Sequence, residues 1–168
     1  MPAKPTIYLI RHGEKPGHGL NGLNAAGVAR AEALVHVFKA GAEFNIKHII
    51  AQKPRPSGKR GRPRETVEPL AKSLGLTVDI SREREEVKEI ASDVLKYTKE
   101  DAAGDVLICW EHKRLRDIAT AFGVKRAPDY DDQRFDLLWK LEDPYDALYV
   151  TSYSIADSPG KTEWAKAG

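Results

Sequence analysis

The chain has 168 residues, 41% of them hydrophobic, and sets 27 Lys and Arg against 25 Asp and Glu for a formal charge of +2. That suits one domain with a genuine buried core, and the charge is too small for the whole surface to act as a polyanion binder, so any strong positive field must be local. No apolar run approaches the roughly 18 residues of a membrane span, the N-terminal stretch lacks the pattern of a secretory signal, and the single cysteine, Cys109, removes disulfides and thiol-rich metal sites together.

In chain order, TIYLI at 6–10 is a short apolar run without polar alternation, as expected of a strand covered on both faces. It ends in RHGEKPGHGLNG, rich in Gly and charge and therefore a loop. Asn24 is the expected N-cap of a helix carrying Val28, Ala31, Leu34, Val35 and Phe38 at helical spacing, with Gly41 as its stop. IKHIIA at 46–51 reads as a second strand. KPRPSGKRGRPR at 53–64 follows as a basic loop, and helical periodicity resumes through Val67, Leu70, Ala71 and Leu74, with Pro63 suited to the first helical position.

LTVDI predicts a short third strand, and EEVKEIASDVLKY a helix with Val87, Ile90, Val94 and Leu95 on one face. DVLICW at 105–110 is the clearest buried strand, followed by a helix from about Lys113 that Gly123 closes. RFDLLWKL and DALYVTSYS flank Asp143-Pro144-Tyr145-Asp146, the pattern of a hairpin. Residues 156–168 show no core pattern and are expected to be a mobile tail on a single domain spanning 1–155. Strands alternating with helices imply an α/β fold of three layers. Its sheet is mostly parallel with helices on both faces, and an antiparallel hairpin lies near the C-terminus.

In such a sheet, ligands sit beyond the carboxyl ends of the strands. Arg11-His12 follows the first strand, the basic loop follows the second, and Glu111-His112 follows DVLICW. Two histidines a hundred positions apart and at least one arginine should therefore meet in one pocket. A phosphoryl group suits it, because arginine grips its oxygens in a bidentate fork and histidine can attack phosphorus.

These residues resemble the histidine phosphatase superfamily, which also contains phosphoglycerate mutases and acid phosphatases of the phosphohistidine type. RHGEK closing the first strand is similar to the family signature, Arg62-x-x-x-Thr66 to the segment that provides a second phosphate-binding arginine, and VLICWEH to the strand bearing the second pocket histidine. Together the matches span roughly residues 6–123. The resemblance implies that His12 is the nucleophile. It makes Arg11, Arg62 and His112 the groups around the phosphoryl oxygens, with no metal and no cofactor, and water as the acceptor that hydrolyses the phosphohistidine.

A general acid is needed for a poor leaving group. The family's offset from the Thr lands on Glu86, but Glu83, Glu85 and Glu89 lie within the same register, and Glu111 is a further candidate by proximity. Pro63 stands where the family has a small residue, which leaves Arg60 and Arg64 as alternatives to Arg62. His36 and His48 read as structural, and His18 belongs to the loop after the first strand.

Two other phosphate chemistries fail on spacing. A cysteine phosphatase loop after Cys109 would need Arg at 115, which is Leu, and SGKRGRPRET does not satisfy the nucleotide P-loop pattern. The expected function is a metal-independent phosphatase acting on a small phosphorylated substrate, a phosphomonoester or phosphohistidine, in the cytoplasm and without a membrane partner. Mutase activity is disfavoured by the short chain. The alternative is a phosphate- or nucleic-acid-binding adaptor using loop 53–64 as a basic arm. The oligomeric state is not legible.

Overall fold

The computed structural model describes residues 4–39, 43–97, 104–153 and 163–167. They form seven strands and four helices in the order β1 (Ile7–Arg11), α1 (Ala25–Val37), β2 (Ile46–Ala51), α2 (Arg62–Leu74), β3 (Val78–Asp79), α3 (Val87–Tyr97), β4 (Asp105–Trp110), α4 (His112–Phe122), β5 (Leu137–Leu141), β6 (Leu148–Ser152) and β7 (Ala165–Ala167). The strands make one sheet in the order β3-β2-β4-β1-β5-β6-β7. Strands β3, β2, β4 and β1 are mutually parallel, and β5, β6 and β7 each run antiparallel to the preceding neighbour. The α/β fold and C-terminal hairpin are as expected, and the sheet as a whole is mixed.

The apolar strands without alternation have a direct cause. In β1, Ile7 and Leu9 enter one core with Ile90, Val94, Leu115 and Ile118 of α3 and α4, while Tyr8 and Ile10 enter a second core with Leu34, Val37, Val67 and Leu70 of α1 and α2. Strand β4 divides the same way, Val106, Ile108 and Trp110 to the first core, Leu107 and Cys109 to the second. Each such side chain contributes about 1.5–3 kcal/mol relative to an exposed one, so the two central strands anchor both halves. Cys109 is a buried hydrophobe here.

Local details differ from the sequence reading in places. Asn24 caps α1 by accepting the Gly27 amide at 2.9 Å, but α1 ends at Val37, and Gly41 lies outside the described residues. Val28 and Leu95, both placed on core faces by periodicity, are exposed, while Arg30 takes a buried position of α1. Helix α2 begins one residue earlier than expected, with Arg62 first and Pro63 second. Of the tail 156–168, residues 156–162 and 168 lie outside the described residues. Within the remainder, Ala165–Ala167 pairs with β6 and Trp164 packs against the second core.

Candidate active site

The parallel pairing of β1 and β4 sets Arg11 opposite Trp110, so His12 and Glu111 leave adjacent strands side by side. The chain then departs in opposite directions, to α1 on one face and α4 on the other. Such a divergence opens a crevice at the strand ends. The first turns of α2 and α4 border this rim, and neither contains an acidic N-cap bond that would satisfy its free amides: Gly61 has no side chain to offer and Glu111 makes no cap hydrogen bond.

Arg11 is only 4% exposed. Its Nη1 donates to the carbonyls of Asp132 and Arg134 at 2.9 and 2.8 Å, and its guanidinium lies 3.8 Å from the centre of the Phe135 ring. Its Nε is buried and has no hydrogen-bond partner. A buried donor left unpaired on a charged group is costly, and it is the kind of vacancy an anion fills.

His12 is 5% exposed. Its Nδ1 lies 2.7 Å from the Gly13 carbonyl; a carbonyl only accepts, so Nδ1 carries the proton and Nε2 is left with its lone pair. Burial, reinforced by the charges of Arg11 and Arg62, pulls the His12 pKa down to about 4, against the opposing pull of the Gly13 bond and Glu111. The ring is neutral at neutral pH. The side chain of His112, first residue of α4, has no hydrogen-bond partner among the described residues, and burial together with the Arg11 and Lys113 charges lowers its pKa as well. The charge of Arg11 thus reaches both imidazoles.

Arg62 is held in place by the loop after β1. Its Nε donates to Gly22 O at 2.9 Å and its Nη2 to Leu20 O at 2.7 Å. Thr66, one turn on, accepts the Gly13 amide at 2.8 Å and donates to the Arg62 carbonyl at 2.7 Å. The spacing Arg62-x-x-x-Thr66 therefore ties the start of α2 to the residue beside His12. Gly27 lets α1 approach the same loop, since a Cβ there would sit 2.3 Å from Glu14 O. Glu14 in turn grips Arg30 through two bonds of 2.7 and 2.9 Å.

The carboxylates separate clearly. Glu86 accepts the Glu83 amide at 2.9 Å and meets Arg82 at 3.4 Å, while Arg82 makes a bidentate pair with Asp93 at 2.8 Å. Those contacts occupy Glu86 with the entry to α3. Glu111 is the carboxylate whose charge reaches His12. It bonds Arg84 Nε and, at 3.2 Å, Gln52 Nε2. Burial raises its pKa, but Arg84 and Gln52 outweigh that and hold it below the usual carboxylate range. Glu83 and Glu85 face Lys53 and Arg60. A cleft of about 440 Å³ beside the rim is lined by His112, Lys113, Tyr130 and three aspartates, Asp129, Asp131 and Asp132.

The basic loop is a folded turn. Arg55 N donates to Lys59 O at 2.8 Å, Gly58 N to Arg55 O at 2.9 Å, and Asn21 Nδ2 to Ser57 O at 3.1 Å. Lys53, Arg60 and Arg64 face Glu83, Glu85 and Glu68. Of the three candidate arginines, Arg62 is the one whose charge bears measurably on His12, lowering its pKa. His48 stacks on Tyr97 at 4.2 Å, and His18 and His36 are exposed. Among the described residues no group of three or more His, Cys, Asp or Glu is placed to hold a metal ion, and no helix is long and apolar enough to cross a membrane.

Sequence reading missed Gln52, Arg84 and Phe135. Gln52 carried a signal, being a polar residue at the end of a buried strand like His12 and Glu111. Arg84 is lost in a charge run, and Phe135 lies more than a hundred positions from the arginine it covers.

The fold is that of the histidine phosphatases, as the resemblance implied. The chain is similar to the structure of the protein histidine phosphatase SixA complexed with tungstate, at a TM-score of 0.63 and 14% identity over 89% of this chain and 94% of that one. It is also similar to a candidate phosphohistidine phosphatase SixA from Agrobacterium tumefaciens (TM-score 0.53, 16% identity, 95% and 100% covered) and to phosphoglycerate mutase from Plasmodium falciparum (TM-score 0.53, 13% identity, 95% and 96% covered). No family model matches the sequence, and no curated protein does.

Proposed function

We propose that the protein is a phosphatase that transfers a phosphoryl group to Nε2 of His12 and hydrolyses the phosphohistidine with water. The observation that carries this reading is the His12 imidazole itself: neutral, oriented by Gly13, and adjacent to an arginine with an unpaired buried Nε. In this scheme Arg11, Arg62 and His112 surround the phosphoryl oxygens and stabilise the charge that develops on them. One structural neighbour is complexed with tungstate, a tetrahedral oxyanion like phosphate, which supports an oxyanion as a ligand of this fold.

The scheme needs no metal. It also lacks a protonated carboxyl beside His12, since Glu111 is ionised. Substrates with good leaving groups, aryl phosphates and phosphoramidates such as phosphohistidine, should therefore react faster than alkyl phosphates. Glu86 as proton donor is the weaker proposal, because its contacts are with Arg82 and Glu83.

The test is hydrolysis of p-nitrophenyl phosphate and of a phosphohistidine peptide, combined with trapping of the phosphorylated enzyme. His12→Ala should remove both turnover and an alkali-stable, acid-labile phosphate on the protein. Turnover that survives in His12→Ala would overturn the reading.

A further inference from the structure

Arg11, Arg62 and Glu111 bear on His12 through their charges. Arg11 and Arg62 oppose a positive ring, and Glu111 favours it. The balance matters because the ring becomes cationic during the proposed reaction. When the Nε2 lone pair forms the bond to phosphorus and the ester bond breaks with its electron pair on the leaving oxygen, Nδ1 still carries the proton it donates to Gly13. Hydrolysis reverses the charge: water oxygen bonds phosphorus, the P–N pair returns to Nε2, and the water protons leave with phosphate and solvent.

Glu111 is built into its place. Its residue follows Trp110, which pairs with Arg11, so it lies next to His12 across the β1–β4 pair. Its backbone is in the extended conformation at the N-cap of α4, yet its side chain makes no cap bond and gives up that interaction. Instead one oxygen takes Arg84 Nε and the other takes Gln52 Nε2, while Gln52 Oε1 accepts the Glu111 amide at 3.3 Å. Gln52 is wholly buried. Arg84 is anchored in turn, its carbonyl accepting the Trp110 indole N–H at 3.0 Å and its guanidinium meeting Glu85 at 3.6 Å.

We propose that Glu111, clamped by Arg84 and Gln52, is the positioning residue whose negative charge favours the phosphorylated His12 imidazolium, with Arg84 keeping that charge in place. The proposal rests on the phosphatase reading above. The groups facing Glu111 are Arg84 from the segment before α3, Gln52 from the end of β2, His12 from the end of β1 and His112 from the start of α4. Arg84, with Gln52, offsets the burial of Glu111 and favours its charged form.

Rapid-quench kinetics with p-nitrophenyl phosphate separate formation of the phosphoenzyme from its decay. At pH 7, Glu111→Gln should slow formation about tenfold and leave decay no slower, and Glu111→Asp should recover part of the loss. Arg84→Gln should move the acidic limb of formation to higher pH, because Glu111 then gains a proton more easily. NMR of the His12 ring should show its ionisation falling below the wild-type value in Glu111→Gln. Accumulation of phosphoenzyme in Glu111→Gln would overturn the proposal by making Glu111 the base for water, as would unchanged formation with an unmoved His12 ionisation. If wild type forms no phosphoenzyme on His12, the phosphatase reading fails and takes this proposal with it; normal phosphoenzyme with indifferent Glu111 variants sinks the proposal alone.

Discussion

Arg11 and Arg62 both press positive charge onto His12, but the molecule holds them in opposite ways. Arg11 grows out of a central strand, is sealed under Phe135 and bonds two carbonyls of the segment before β5. Arg62 sits at the mouth of a helix, half-buried, and is oriented by two carbonyls of the loop after β1. One is part of the core; the other is clipped on at its edge. Two arms with the same chemistry should therefore differ in what their loss does to the fold.

The largest effect expected is that of Arg11→Ala, which should cut turnover by about 100-fold or more and also destabilise the protein by about 2–3 kcal/mol, since it leaves two partly buried carbonyls unpaired. Urea denaturation measures the second part. Arg62→Ala should match it in rate loss but cost no more than about 1 kcal/mol, because Leu20 and Gly22 can pass their carbonyls to water. Equal destabilisation by the two substitutions would break the contrast.

Acid should strain the Arg11 side first. His12 ionises near 6.5 in the unfolded chain and about 4 in the fold. Between those values the unfolded chain binds a proton that the folded protein refuses, so this group's contribution is intact above about 6.5 and is lost as pH falls to about 4, roughly 3 kcal/mol in all. His12→Gln should flatten that part of the stability profile. Thr66→Val should come next, leaving the buried Gly13 amide unpaired at a cost of about 1–2 kcal/mol and slowing turnover by loosening both His12 and Arg62.

The smallest effects belong to the basic loop. Arg55 and Lys59 are exposed and have no ion-pair partner among the described residues, so Arg55→Ala with Lys59→Ala should change turnover of an anionic substrate by less than about threefold, and less still at high salt. Tight, steeply salt-dependent binding of DNA that these changes abolish would instead support the adaptor alternative.

Much of this was legible in advance. TIYLI and DVLICW announced themselves as central strands because burial on both faces removes alternation. The residues that follow them marked the rim. Asn24 was readable as a cap, and the DPYD turn as a hairpin. Other features were hidden for physical reasons. Val28 keeps helical spacing but faces solvent, and buried Arg30 is tolerated because Glu14 bonds it and the Tyr153 ring lies beside it. The Ala165–Ala167 strand is too short for a period-2 pattern to appear. Offset along the chain points to Glu86 and proximity to Glu111, and the carboxylate whose charge bears on His12 is Glu111.

The sequence alone determined which segments are buried on both sides and, through the residues ending those segments, that Arg11-His12 and Glu111-His112 would stand at one edge of the sheet. Periodicity and strand-end polarity are local properties, and they survive in one dimension. Only the tertiary structure decided the tautomer of His12, the empty Nε of Arg11 under Phe135, and the capture of Glu111 by Arg84 and Gln52. The last two depend on contacts between residues from about 25 to more than 120 positions apart, and the first on the angle at which the ring meets the neighbouring Gly13 carbonyl; no spacing along the chain specifies such angles or their desolvation.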